Sequence, residues 1–369
     1  MASRDQKKPP AALHQQGSFI TEAAGTAFLG DKWIAASGMQ KALRRGDVTV
    51  AHDAANALRL LDNDMLRRRV QTTLVEDVAP LDVEGLSAIL TARLIVGQID
   101  AALEVLARSP KERTPDYLVA MLQFSPRLTP ARHELGKADD QTLLNVVCSP
   151  HLDLATRALA AWYAGGTVQL PGSNLLRRYG NSRALFAAYR DAGLPAALID
   201  GCQKVLGTQR NALPLIYPLV FQAMNQDSTV RVEARHIPPP RTCNGIPLYA
   251  LGGHTRLGKA AIRAWVEGND HLQRSARALV DPARSFAAAE LAVFFVESSA
   301  ISPAVSWSLG KEMEREGIEA DFYSLDPRIE ALSDFLATAK EQLPQLDDIR
   351  AALVEQRVRV MKHESGAHA

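Results

Sequence analysis

Apolar positions recur with a helical period along most of this chain. After Asp47, the residues Val48, Ala51, Ala55, Leu58 and Leu61 fall on one side, while His52, Asn56 and Arg59 fall opposite. Asp47 has the side chain to cap that helix. The next window sets Leu66, Val70 and Leu74 on one side, with Asp64 as its expected cap and Glu76 and Asp77 closing it. Breakers at Gly46-Asp47, Asp62-Asn63-Asp64, Pro80-Leu81-Asp82 and Gly97 separate these windows from further helical patterns over 82–96 and 98–108. The pattern predicts a run of helical hairpins. Helices continue to about 225, more often broken by Pro and Gly, and are clearest at 151–164 and 211–225. No fixed period of solenoid type joins them.

The texture changes at Ser228. Val230 and Val232 alternate with Arg231 and Glu233, and Pro238-Pro239-Pro240, Cys243-Asn244-Gly245 and a short apolar run over 246–251 follow. Strands are expected only here. Helices resume at Thr255; the stretch 282–296 is apolar nearly all round, which predicts a central buried helix. Residues 311–369 hold 8 basic and 13 acidic side chains by count, the composition of a solvated helical end. The expected fold is therefore mainly α and multi-helical, with a small β element near 229–251. Its expected divisions are a mobile tail over 1–18, a helical module over 19–125, a middle helical region over 126–227 and a mainly helical region with short strands over 228–369.

Composition narrows the function little. The 369 residues are 47% hydrophobic and 22% charged, ordinary globular values. Lys plus Arg at 42 against Asp plus Glu at 41 provides no global field toward nucleic acid or acidic lipid, so any such contact must be local. The longest apolar runs, 212–221 and 291–296, fall short of a membrane span, and the first ten residues lead into no signal-type core. A soluble, cytoplasmic protein with no membrane partner is the expectation. Cys148, Cys202 and Cys243 form no C-x-x-C pair, and Cys148 with His151 lacks two further ligands for zinc. No metal site and no cofactor is expected.

One short stretch spells a chemistry. Gly253-His254-Thr255-Arg256-Leu257-Gly258-Lys259 follows the phosphate-loop pattern, in which backbone N–H groups and the Lys hold phosphates. That pattern requires Ser or Thr next, for magnesium; here Ala260 follows. The competing reading is structural: Gly252 and Gly253 turn the chain, Thr255 caps a helix, and Leu257, Ala261 and Trp265 pack inward. It leaves His254, Arg256 and Lys259 without a structural duty, and these three are the candidate anion site.

A second cluster is basic. Between Lys41 and Arg69 there are seven basic and four acidic residues, a local balance of about +3. Arg67, Arg68 and Arg69 fan over about 200° of a helix, so at most two face one ligand. Lys41, Arg44, Arg45, Arg67 and Arg68 are the candidate nucleic-acid or partner contacts, with a solvated, salt-bridged face as the alternative. No catalytic residues are assigned: there is no G-x-S-x-G elbow, and adjacent Glu76 and Asp77 point about 100° apart on a helix, poorly placed as an acid and base pair.

The letters from Trp33 through Lys41-Ala42-Leu43-Arg44-Arg45-Gly46-Asp47, on to Ala54-Ala55-Asn56-Ala57-Leu58, Arg67-Arg68-Arg69 and Val75-Glu76-Asp77-Val78, resemble a known helical module. They are similar to the C-terminal, clamp-loader collar-like part of the replication-associated recombination ATPases of the RarA/MgsA type, over roughly 32–110. About thirty residues stand upstream, so the expectation is the collar without its ATPase domain. The resemblance implies oligomerisation and a non-catalytic accessory role in bacterial DNA replication, recombination or repair. A second copy of the chain, DNA and a replication or repair ATPase are the implied partners. Two alternatives stay open: an enzyme binding a phosphorylated substrate or nucleotide at 253–259, and a helical adaptor that binds no DNA.

Overall fold

The computed structural model describes residues 27–366 apart from 169, 171–173 and 209–211, so the expected tail over 1–18 lies outside the described residues. The fold is mainly α, with sixteen α-helices and four short strands among the described residues. The first helix, α1 (Lys32–Arg45), starts where the Asp31 carboxylate accepts from the backbone N–H groups of Trp33 and Ile34, at 2.8 and 3.3 Å. It stops at Gly46, whose φ of 74° is the left-handed cap conformation a glycine adopts without steric cost. Asp47 then caps α2 (Val48–Asp77) through the Val50 N–H.

The expected break within α2 is real, with a different cap. Asp62 is extended (φ −164°, ψ 86°) and accepts from the Met65 N–H at 2.9 Å, whereas Asp64 is exposed and faces Arg67 at 3.5 Å. The inward faces follow the period: Ala51, Ala55, Leu58, Leu66, Val70 and Leu74 are all fully buried. Next come α3 (Val83–Thr91), capped by Asp82, and α4 (Val96–Arg108). The break between them lies at 92–95, and Gly97 sits inside the first turn of α4.

After α5 (Thr114–Phe124), a middle group is formed by α6 (Thr129–Lys137), α7 (Asp140–Cys148), α8 (Leu154–Gly165), α9 (Ser182–Asp191), α10 (Ala196–Thr208) and α11 (Leu213–Gln226). Its axis is α8, buried from Leu154 to Ala164 except at Thr156 and packed against α5, α6, α7, α9 and α11. The third region supplies α12 (Arg256–Glu267), α13 (Asp270–Leu279), α14 (Ser285–Ser298), α15 (Ser308–Leu325) and α16 (Leu332–Gly366). The acidic C-terminal segment is solvated on one side only: Phe335, Ala339, Leu346, Arg350 and Val354 of α16 are buried where it packs on α12, α13 and α14.

The strands fall partly where the alternation places them. β1 (Arg231–Glu233) pairs antiparallel with β4 (Ala304–Ser306), an element without a sequence signal of its own; β2 (Thr242–Cys243) and β3 (Ile246–Pro247) form a hairpin. Asn244 and Gly245 turn that hairpin with φ of 48° and 76°, the paired positive values of a type I′ turn. The apolar run after β3 is not a strand: Leu248–Ala250 is a turn of 3-10 helix packed on α1.

The third region closes back onto the first. Ser302 donates its N–H to the Arg44 carbonyl, Lys111 donates to Pro303, and Val305 donates to Lys111. Gly317 on α15 lets that helix sit against α5, since a β-carbon there would lie 2.6 Å from the Cβ of Tyr117. No helix among the described residues is long and apolar enough to cross a membrane.

Candidate functional site

Between α1, the second half of α2, α5, α14, α15 and the bend at 252–254 lies a cavity of about 660 Å³, a size suited to a small organic ligand. Val119, Ala120, Leu291, Val293, Phe294 and Leu325 supply apolar wall; Lys41, Arg44, Arg69, Glu76, Asp116, His254, Lys259, Glu290, Glu297 and Asp321 supply charge. Here the apolar composition of α14 has its explanation. Ala288, Ala289 and Ala292 are buried in the core, while Ala287, Glu290, Leu291, Phe294 and Glu297 line the cavity and are partly buried.

Two clusters far apart in sequence meet on this cavity, and the structure sorts their members. Lys41 reaches inward and donates from Nζ to Glu297 Oε2 at 2.6 Å and to the Tyr249 carbonyl at 2.7 Å. Arg44 is buried, its Nε donating to Asp77 Oδ1 at 2.7 Å and its Nη2 to Glu76 Oε1 at 2.8 Å. Both are committed to internal pairs and present no charge to an outside surface. Arg45 points elsewhere: its Nη2 donates to the Pro238 carbonyl at 2.6 Å and its guanidinium lies 5.1 Å from the Tyr249 ring centre. Arg67 and Arg68 also lie away from the cavity. The third member of that run, Arg69, is the one that lines it, as the 100° step between helical neighbours requires.

The glycine bend is built by its own hydrogen bonds. Thr255 donates from N and Oγ1 to the Gly252 carbonyl, each at 3.0 Å, and its hydroxyl accepts from the Gly258 N–H at 2.9 Å as the cap of α12. A β-carbon at residue 258 would stand 2.0 Å from the Gly252 oxygen, so the second glycine of the motif serves close packing. With the Gly258 amide spent on Thr255 and a 3-10 turn in place of a strand before the bend, the backbone differs from a phosphate loop. Ala261 and Trp265 are fully buried and Leu257 partly so. Of the three candidate anion ligands, His254 and Lys259 line the cavity and Arg256 faces solvent.

Electrostatics divides the cavity into two ends. Around His254 the field is positive. The ring stays open to the cavity but is hemmed in by protein, and this partial burial, followed by the charges of Lys41, Arg69, Lys259 and Arg44, lowers its pKa. Its ring meets Phe294 edge-on at 6.2 Å. A second group in the lining is acidic: Glu76, Asp116 and Asp321, from α2, α5 and α15. Burial, then the neighbouring Asp77 and Asp116, push Glu76 up to about 7 against the pull of Arg44 and Arg113. Burial and then Asp116 raise Asp321 to about 7 as well. Glu297 behaves oppositely: burial alone would raise it, but Arg350 and Lys41 outweigh burial and hold it low and ionised.

Beneath the acidic end, Asp77 is fully buried. It accepts from Arg44, from Gln40 Nε2 at 2.9 Å and from Arg113 Nε at 3.2 Å, and Arg113 also donates to Asp116. Glu76 and Asp77 thus leave the end of α2 in different directions, one toward the cavity and one into the core. Arg69, Glu76, Asp116, Glu290, Glu297 and Asp321 are cavity residues that sequence reasoning did not select. One signal was present for two of them: Glu290 and Glu297, seven residues apart, share a face of an otherwise apolar helix.

Among the described residues no group of three or more His, Cys, Asp or Glu is arranged to hold a metal ion. No family model matches this chain, no curated protein and no solved structure matches it, and none of these comparisons bears on the resemblance of 32–110 to the collar of the recombination ATPases.

Proposed function

We propose that this chain binds a small organic anion, a phosphate or a carboxylate, in the cavity between α1, α2 and α14. The observation that carries the reading is that Arg69 and His254 line the same cavity with no hydrogen-bond or ion-pair partner among the described residues, whereas Lys41 and Arg44 beside them are fully engaged. Lys259, only 3.9 Å from Glu290 and largely exposed, adds positive charge at the mouth. Carboxyl groups pushed up to about 7, as Glu76 and Asp321 are, exchange protons readily at physiological pH, and both line the same cavity. The cavity therefore has the equipment of an enzyme acting on a phosphorylated substrate, although binding alone is what the geometry supports best.

Calorimetric titration with hexyl phosphate tests this. Saturable binding is expected, weakened about tenfold by Arg69→Ala, a loss of about 1.4 kcal/mol, and unchanged by Arg68→Ala. Folded protein that takes up no hexyl phosphate at millimolar concentration would overturn it.

A second reading keeps the accessory role in DNA replication, recombination or repair. It rests on the outward Arg45, Arg67 and Arg68, since Lys41 and Arg44 are committed inside. DNA affinity that falls with salt and drops in an Arg67→Ala/Arg68→Ala variant would favour it; no DNA binding at low salt would remove it.

A further inference from the structure

The charged groups facing the cavity divide into those that already have a partner and those that do not. Lys41 is held by Glu297, Arg44 by Glu76, and Asp116 by Arg113. Lys259 and Glu290 face each other loosely at 3.9 Å. Three groups remain with no hydrogen bond or ion pair from their side chains among the described residues: Arg69 and His254 at one end, Asp321 at the other. Arg69 and Asp321 are part-buried and His254 is exposed, so all three can exchange solvent for a ligand group without first breaking an internal pair.

We infer that the ligand is a zwitterion, whose anionic group lies at Arg69 and His254 and whose ammonium group lies at Asp321, with an apolar linker along Leu291, Phe294 and Leu325. The inference rests on the anion-binding reading above and adds the second end.

Charge balance supports it independently of that first end. Asp116 acts on both Glu76 and Asp321, Glu76 adjoins Asp77, and the cations acting on this group are Arg44, Arg113 and, on Asp77, Lys111. Four carboxyls against three cations leave an excess of one negative charge when all are ionised. Burial and then Asp116 raise Asp321 to about 7, both of them penalties on its ionised form. An ammonium placed there would offset them by charge, and would favour the ionised Asp321. A plain anion would meet only repulsion at this end. The apolar wall between the ends favours a ligand whose charges are separated by a hydrocarbon or ring segment, for which Phe294 offers a face.

The test compares two probes that differ in one group, hexyl phosphate and aminohexyl phosphate, titrated calorimetrically into the full chain at mildly alkaline pH. The aminohexyl compound is expected to bind at least about tenfold tighter, close to 1.4 kcal/mol. Asp321→Asn, nearly identical in shape, is expected to erase that preference and to bind hexyl phosphate no more weakly than the parent does, with an unaltered cooperative melting transition showing the variant to be folded. Arg69→Ala is expected to weaken both probes alike. Equal affinity for the two probes in the unaltered protein, or a preference that survives Asp321→Asn, overturns the zwitterion and leaves the anion site standing. Failure of both probes to bind removes the anion site and this inference with it.

Discussion

The middle helical group and the cavity-bearing part of this protein bury charge in opposite ways. Around α8 the interior is apolar and aromatic, with Leu159, Trp162, Tyr163, Phe186, Tyr189 and Tyr217 packed together, and its one buried charge among the described residues, Arg157, meets neutral partners, the Val147 carbonyl and Gln222. Carboxylate pairs there sit at the rim, as Arg178 with Asp140 and Arg190 with Asp200 do. Around the cavity, Arg44, Asp77, Arg113, Glu297 and Arg350 are drawn inside. Buried ion pairs seldom repay their desolvation, and an apolar core of equal volume is often as stable. The middle group has the composition of a scaffold. The cavity region retains a stability cost that packing alone does not explain, and that asymmetry directs attention to the cavity as the working part.

The comparison can be broken most severely at Asp77. Replacing it by Ala leaves Arg44 and Arg113 buried without their shared carboxylate, and a loss of about 3–5 kcal/mol is expected in urea unfolding. Asp140→Ala at the rim should cost no more than about 1 kcal/mol in the same experiment; equal losses at the two sites would abolish the distinction. A smaller effect, about 1–3 kcal/mol, is expected from Gly258→Ala, because the added methyl must displace the Gly252 carbonyl. If that variant unfolds like the parent, the bend is less tightly built than its contacts indicate.

The smallest expected effect concerns pH. Asp321 titrates near 7 in the folded chain and lower when unfolded, so between those values the native state holds the extra proton, and stability falls as pH rises through about 7. Asp321→Asn removes the titrating group. The melting temperature of the variant should decline less than that of the parent between mildly acidic and mildly alkaline pH, and parallel declines would show that Asp321 is not the group responsible.

Much of the scaffold was legible in the chain because local rules governed it. Asp47 and Thr255 cap the helices that follow them, Gly46 ends α1, the break at 80–82 precedes α3, and the inward face of α2 obeys the 3.6-residue period. Where local signals were degenerate, the choice fell to the surroundings: three acidic or amide side chains at 62–64 could each cap, and Asp62 does. β4 carries no alternation because its pairing with β1 and its bonds to Lys111 come from distant segments.

The candidate site was legible only as two separate fragments. Composition and motif drew attention to the basic residues of α1 and α2 and to the bend at 253–259, yet no spacing in the chain indicates that they share a cavity. Pairing across more than two hundred residues, Lys41 with Glu297, decided which cations are spent inside and which remain available. Asp116 and Asp321 are unremarkable helical acids in the sequence, and only the packing of α5 against α15 places them together in a sheltered space. Helical periodicity, caps and turns thus determined the elements, because each depends on neighbours within a few residues. The charge partition of the cavity was decided by tertiary structure, because burial and the nearness of other charges, which set the state of an ionisable group, are properties of the assembled fold.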